Sequence, residues 1–223
     1  MGVGFGGFGI SIKGRDKILN QDYFLLRNYK NTLVLVVCDG LGSKRFSNIG
    51  SKMLAESIAL LLKKTRLSEC NLYEFESKLI KLWQEKILCY TQYINECSST
   101  LLMAVIYDRL SFFGRVGDGG IIIFGKKEYY MEEEDKDFAN FTSSFGREKI
   151  KWLVLETKDI ESIAIFSDGI TEFLDQNKVM RFFSDFIESY KYSNKKNEIK
   201  SWLQSFNARG FRDDKTLIVA YRS

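Results

Sequence analysis

Histidine and proline are both absent from this chain of 223 residues. Without an imidazole there is no serine–histidine–aspartate triad, no histidine-ligated zinc site and no imidazole acid–base pair. Chemistry must then rest on carboxylates, lysine, arginine, hydroxyls, thiols or a bound metal. Cysteine is scarce as well. Cys38, Cys70, Cys89 and Cys97 form no close Cys-x-x-Cys pair, which removes the usual thiolate metal and redox spacings. Cys38, Cys89 and Cys97 lie in apolar or helical contexts, so buried free thiols and a reducing cytoplasm are expected. Long apolar runs are missing too, and none approaches the roughly 20 residues that span a bilayer. The opening "MGVGFGGFGISIKG" lacks the charged lead and leucine-rich core of a secretory signal. Gly6 stands where a myristoylation motif needs Ser or Thr.

Charge of one sign is also in short supply. Lys and Arg exceed Asp and Glu by only 4, within 28% charged residues. So small and scattered an excess excludes nucleic acid and an anionic membrane as expected partners. The 45% hydrophobic content is enough to bury a sizeable core. No repeat, low-complexity segment or Ser/Gly linker interrupts the chain, so one continuous domain over 1–223 is expected.

Strand patterns occur in "FGISI", "DYFLLR", "TLVLVV", "LLMAVIY", "LSFFGRV", "GIIIF", "KEYYM", "KWLVLE", "IAIFS" and "TLIVAY". Only Asp108 and Arg109 separate the runs 101–107 and 110–116, and so short a connection forces antiparallel pairing. Four apolar stripes have helical period. Ile49, Met53, Leu54, Ile58, Leu61 and Leu62 form the first, with Ser47 as the expected N-cap. Leu72, Phe75, Leu79, Trp83, Ile87 and Ile94 form the second. Val179, Phe182, Phe183, Phe186 and Tyr190 form the third, and Ile199, Trp202, Leu203 and Phe206 the fourth. Strands and helix pairs do not alternate, so a doubly wound parallel sheet is disfavoured. The expected class is α+β, a layered sandwich of antiparallel sheets covered by helical hairpins.

Acids punctuate the strand ends. Asp39 in "LVLVVCDGLGS", Asp118 in "GRVGDGG" and Asp168 in "IAIFSDGITEF" each follow a strand and precede a glycine. Asp22 and Asp213 instead precede strands. In antiparallel sheets the exits of one set of strands and the entries of the next share an edge, which lets five acids converge. A lone Asp-Gly marks a turn. Five acids at strand ends point instead to a cation, since converged carboxylates otherwise repel and protonate. All-oxygen ligands suit magnesium or manganese.

The ordered set "GRDKILNQD", "LVLVVCDGLGSKRFSNIGS", "SSTLLMAVI", "GRVGDGG", "IAIFSDGITEF" and "RDDKTLIVAY" resembles the metal-dependent protein serine/threonine phosphatases, protein phosphatase type 2C, in a compact bacterial form. The resemblance implies a four-layer α-β-β-α sandwich with a short flap-like insertion around 126–150. It implies hydrolysis of phosphoserine and phosphothreonine in proteins, by direct attack of a hydroxide bridging two Mn²⁺ or Mg²⁺ ions. Asp39 would bridge those ions, with the Gly40 carbonyl on one, Asp168 and Asp213 on the other, and Asp22 at the opposite side. Asp118 would recruit a third, looser ion. Arg15 would grip the phosphoryl oxygens. Phosphorylated proteins and a cognate serine/threonine kinase system would be the partners of a cytoplasmic, monomeric enzyme.

The sequence departs from the family in two places. Leu41 stands where members commonly have a histidine, and Arg15 lies seven residues before Asp22, farther than in many members. The departure at Leu41 sustains an alternative, a catalytically weak phosphatase-like module that binds phosphoproteins or a kinase. A thiol phosphatase is excluded, because the arginine it needs six places after Cys38 is Lys44.

Overall fold

The computed structural model describes residues 4–29, 31–132, 144–172, 174–191, 196–208 and 212–222. Of the expected flap around 126–150, residues 133–143 lie outside the described residues.

The ten expected strands are all present. They are β1 (Phe5–Ile12), β2 (Tyr23–Tyr29), β3 (Thr32–Cys38), β4 (Leu101–Ile106), β5 (Leu110–Val116), β6 (Gly120–Gly125), β7 (Tyr129–Met131), β8 (Lys151–Glu156), β9 (Ile160–Phe166) and β10 (Lys215–Arg222). They form two five-stranded sheets, ordered β1-β10-β9-β6-β7 and β2-β3-β4-β5-β8. Every pairing is antiparallel, including the short hairpin where Ile106 faces Ser111. The helices are α1 (Ser47–Leu62), α2 (Leu72–Leu88), the one-turn α3 (Asp168–Thr171), α4 (Val179–Tyr190) and α5 (Lys196–Ala208).

Antiparallel strands usually alternate apolar and polar residues because one face meets water. Strand β3 does not, and its packing explains why. Leu33, Leu35 and Val37 face the opposite sheet, among Ile163, Ile165 and Ile218. Val34, Val36 and Cys38 face the other way, against Met53, Leu54 and Ile58 of α1 and Leu79 and Trp83 of α2. With water on neither face, each fully buried aliphatic chain contributes about 1.5–3 kcal/mol. The far side of the second sheet packs Phe8, Ala164, Phe166 and Val219 against Val179, Phe183 and Phe186 of α4 and Leu203 of α5. The result is the expected four layers, helices–sheet–sheet–helices. Among the described residues no helix is long and apolar enough to cross a membrane.

Three local expectations are corrected. Ser47 is the first helical residue of α1, not its cap. Phe46 holds the cap position without a side-chain bond, because the Ser47 hydroxyl donates to the Lys44 carbonyl and accepts from Gln21. Cys89 is exposed, whereas Cys38 and Cys97 are buried; it lies just past the end of α2, where the apolar face runs out. Ile94 belongs to a separate short turn, Ile94–Glu96, because α2 ends at Leu88.

Helix α1 approaches its surroundings closely at Gly50. A Cβ there would lie 1.8 Å from the Cys97 carbonyl oxygen, and the Gly50 carbonyl accepts a bond of 3.0 Å from the Trp83 indole. Gly50→Ala should therefore cost about 3 kcal/mol in urea unfolding, the scale of an overpacked core. Gly6→Ala, whose nearest neighbour would be the tip of the Tyr221 ring at 3.4 Å, should shift stability by under about 0.5 kcal/mol.

Candidate metal-binding active site

The strand register brings the acids to one rim. Tyr23 pairs with Cys38, so Asp22 and Asp39 are adjacent strand-end residues. In the second sheet Leu217 pairs with Phe166 and Phe166 with Gly120, which brings Asp213 and Asp168 to the corresponding end. Asp118 lies on the link from β5 to β6, where the chain passes from one sheet to the other. One side chain, Ser167 at the end of β9, ties the two sheets together at this point. The Ser167 hydroxyl donates to Asp22 Oδ2 at 2.8 Å and accepts from the Thr216 amide at 3.0 Å.

Asp39, Asp118, Asp168 and Asp213 line a cavity of about 400 Å³, together with Lys17, Leu41, Gly42, Ser43, Lys44, Thr100 and Arg147. Asp22 is buried behind it. Asp39 is clamped by Thr100, whose hydroxyl accepts its amide at 3.0 Å and whose amide donates to its carbonyl at 2.8 Å. Gly40 is buried, and its amide donates to the Gln21 carbonyl at 3.1 Å. Glycine is needed at 169, where a Cβ would stand 2.0 Å from the Asp214 carbonyl oxygen. The backbones of the β9 and β10 ends can approach only without that side chain.

Burial and crowding favour the protonated forms of Asp22, Asp39 and Asp168. Burial pushes Asp22 up to about 7, and the charge of Asp214 adds to it, while bonds from Thr216 and Ser167 oppose the shift. Asp39 is held well above the ordinary carboxylate range, by burial first and then by Asp22 and Asp168. Asp168 is raised by burial and by Asp213. Buried oxygens Oδ1 of Asp22 and Oδ1 of Asp168 have no hydrogen-bond partner. An all-oxygen set with unpartnered acceptors and mutual repulsion fits a hard divalent cation. Among the described residues no three acids are yet drawn to the spacing of a single ion's ligands.

The arginine expected to face phosphate is not in the cavity. Arg15 is mostly exposed and its nearest acid is Asp16 at 4.0 Å. Lys17, two residues on, lines the cavity instead, with Nζ 2.9 Å from Asp213 Oδ1. The reason is the loop that carries both. The Asp214 carboxylate accepts the amides of Gly14 at 2.7 Å and Gln21 at 2.8 Å, pinning the loop at its two ends. On the solvent side Arg212 lies 3.2 Å from Asp16, while Lys17 faces the cavity. Asp214 and Lys17 are thus residues of the candidate site that motif reading passes over. The doublet in "RDDK" and the lysine inside "GRDKILNQD" are the only traces they leave in the sequence.

Residues 13–204 match the family model described as protein phosphatase 2C. The protein phosphatase PhpP of Streptococcus pneumoniae is 24% identical over 133 residues, which is 57% of this chain and 53% of the relative. The match therefore spans about half the length of that curated relative. Solved structures share the fold. A bacterial serine phosphatase superposes with a TM-score of 0.72 at 15% identity, covering 97% of each chain. Stp1 from Staphylococcus aureus gives 0.71 at 15% identity over 97% of this chain and 94% of its own. The catalytic domain of PstP, in complex with two manganese ions, gives 0.68 at 12% identity over 97% of each chain.

The raised acids carry a pH signature. A carboxyl whose folded pKa exceeds its unfolded value stabilises the fold at low pH, and that contribution is lost as pH rises to the folded pKa. With divalent ions removed by chelator, stability should fall between about pH 4 and about pH 7, the window that Asp22 defines. Asp22→Asn should make the slope visibly shallower in urea titrations across that range. An unchanged slope would place its origin elsewhere.

Proposed function

Because the chain belongs to the protein phosphatase 2C family, we propose that it hydrolyses phosphoserine and phosphothreonine in proteins with Mn²⁺ or Mg²⁺. The observation that carries this reading is the convergence of Asp39, Asp168 and Asp213 on a cavity that also presents Lys17, Lys44 and Arg147. Carboxylates suit the cations, and the basic side chains suit a phosphoryl dianion.

In this reading Asp39, with the Gly40 carbonyl, and Asp168 with Asp213 would hold two ions, Asp22 would support them from behind, and Asp118 would serve a third. When bound, such ions lower the pKa of water towards neutrality and neutralise phosphoryl oxygens, the chemistry of direct attack on phosphorus without a phosphoenzyme. The chain's own residues set the frame for it. Thr100 fixes the Asp39 backbone, Ser167 fixes Asp22, and the apolar Leu41 bounds the cavity without offering a proton. Lys44, which is 3.5 Å from Glu96, and Arg147 are the cavity donors available to the phosphate. Arg15, exposed at the loop tip, is better placed to meet the surrounding phosphoprotein than the phosphoryl group itself. Phosphoproteins of a serine/threonine kinase system are the proposed substrates, in a cytoplasmic setting that suits four free cysteines.

Hydrolysis of para-nitrophenyl phosphate tests the proposal. Turnover should require Mn²⁺, vanish in chelator, and fall at least about 100-fold in Asp39→Asn. Full activity in chelator or in the substituted protein would contradict it. Tight phosphopeptide binding without turnover would replace the enzyme by a binding module.

A further inference from the structure

We propose that Lys17 is a tethered cation that holds the Asp213 carboxylate while no divalent ion is bound and gives it up when one binds. This deepens, and rests on, the metal-binding reading of the cavity.

The geometry sets this pair apart from an ordinary surface ion pair. The Lys17 ammonium lies 2.9 Å from Asp213 Oδ1 and 2.9 Å from Gln21 Oε1, so two acceptors fix it. Gln21 is itself held, its amide group donating to Ser47 Oγ at 2.6 Å. The two side chains of the pair are only 26% and 32% exposed, where water screens an ion pair less than at the open surface. The loop delivering the lysine cannot drift, because Asp214 binds both of its ends, Gly14 and Gln21. The Lys13 ammonium also donates to the Lys17 carbonyl. Neighbouring acids Asp213 and Asp214 thus divide two tasks: one anchors the loop, the other receives the charge that the loop carries.

Such a device answers the repulsion among the acids in the metal-free protein. Asp22 lies more than nine-tenths buried with an unpartnered oxygen, and Asp39, Asp168 and Asp213 share one cavity. The lysine supplies one positive charge to that group from inside the chain. A tethered competitor has a high effective concentration at its site, so an incoming ion must displace it to use Asp213. Apparent affinity for the ion is lowered by the factor that the closed pair imposes.

The test uses Mn²⁺ alone and a chelator, so it does not depend on turnover. In calorimetric titration Lys17→Met, with Lys17→Gln as a second variant, should bind Mn²⁺ roughly 5–10-fold more tightly than the unaltered protein, the range for a coupling of about 1–1.4 kcal/mol. In chelator, Lys17→Met should lower the melting temperature clearly more in the unaltered background than in an Asp213→Asn background, where only the bond to Gln21 is lost. That cycle separates the pair from a general loss of positive charge. Equal Mn²⁺ affinity, or the same loss of melting temperature in both backgrounds, would overturn the tethered-cation inference while leaving the metal site standing. If the unaltered protein bound no Mn²⁺, the metal reading and the inference would fall together.

Discussion

Like charges gathered in a partly dry space repel one another, and everything at this rim answers that one constraint. Asp22, Asp39 and Asp168 are all driven towards their protonated forms, mainly by burial. A protein that needed only a turn at each strand end would have no cause to bring these side chains together. Their convergence costs stability, which the proposed divalent cations would offset.

The fold makes the convergence rigid. The two faces of β3 and of β9 each pack against a different layer, so a shift of one residue would exchange two unlike sets of contacts. The acids are then set by register: Asp39 after Cys38, Asp168 after Phe166, Asp22 and Asp213 just ahead of paired strands. Short polar links finish the work. Thr100 clamps Asp39, Ser167 joins Asp22 to the opposite sheet, and Asp214 ties down the loop that carries Lys17.

Much of this was legible in the chain because its signals are local. "TLVLVV" and "IAIFS" are apolar throughout and end in an acid, so strand, boundary and candidate ligand are written within a dozen residues. What could not be read depends on contacts between distant segments. Ser47 looks like a helix cap, yet Gln21, 26 residues away, takes its hydroxyl. Cys89 fits a buried thiol by its helical setting, but the helix ends one residue earlier. Arg15 and Lys17 are indistinguishable as basic residues of one loop. Which of them turns inward is decided by Asp214, some 200 positions along. The site acids were therefore visible as a set, whereas the cation facing them was not.

The central claim is that Asp39, Asp168 and Asp213 act together as ligands of divalent cations. Anomalous diffraction from crystals grown in Mn²⁺ addresses it most directly. The account predicts two manganese peaks between these three carboxylates, with Asp39 touching both. A well-ordered, manganese-saturated crystal with no peak there, or with the three carboxylates too far apart to share ions, would contradict it.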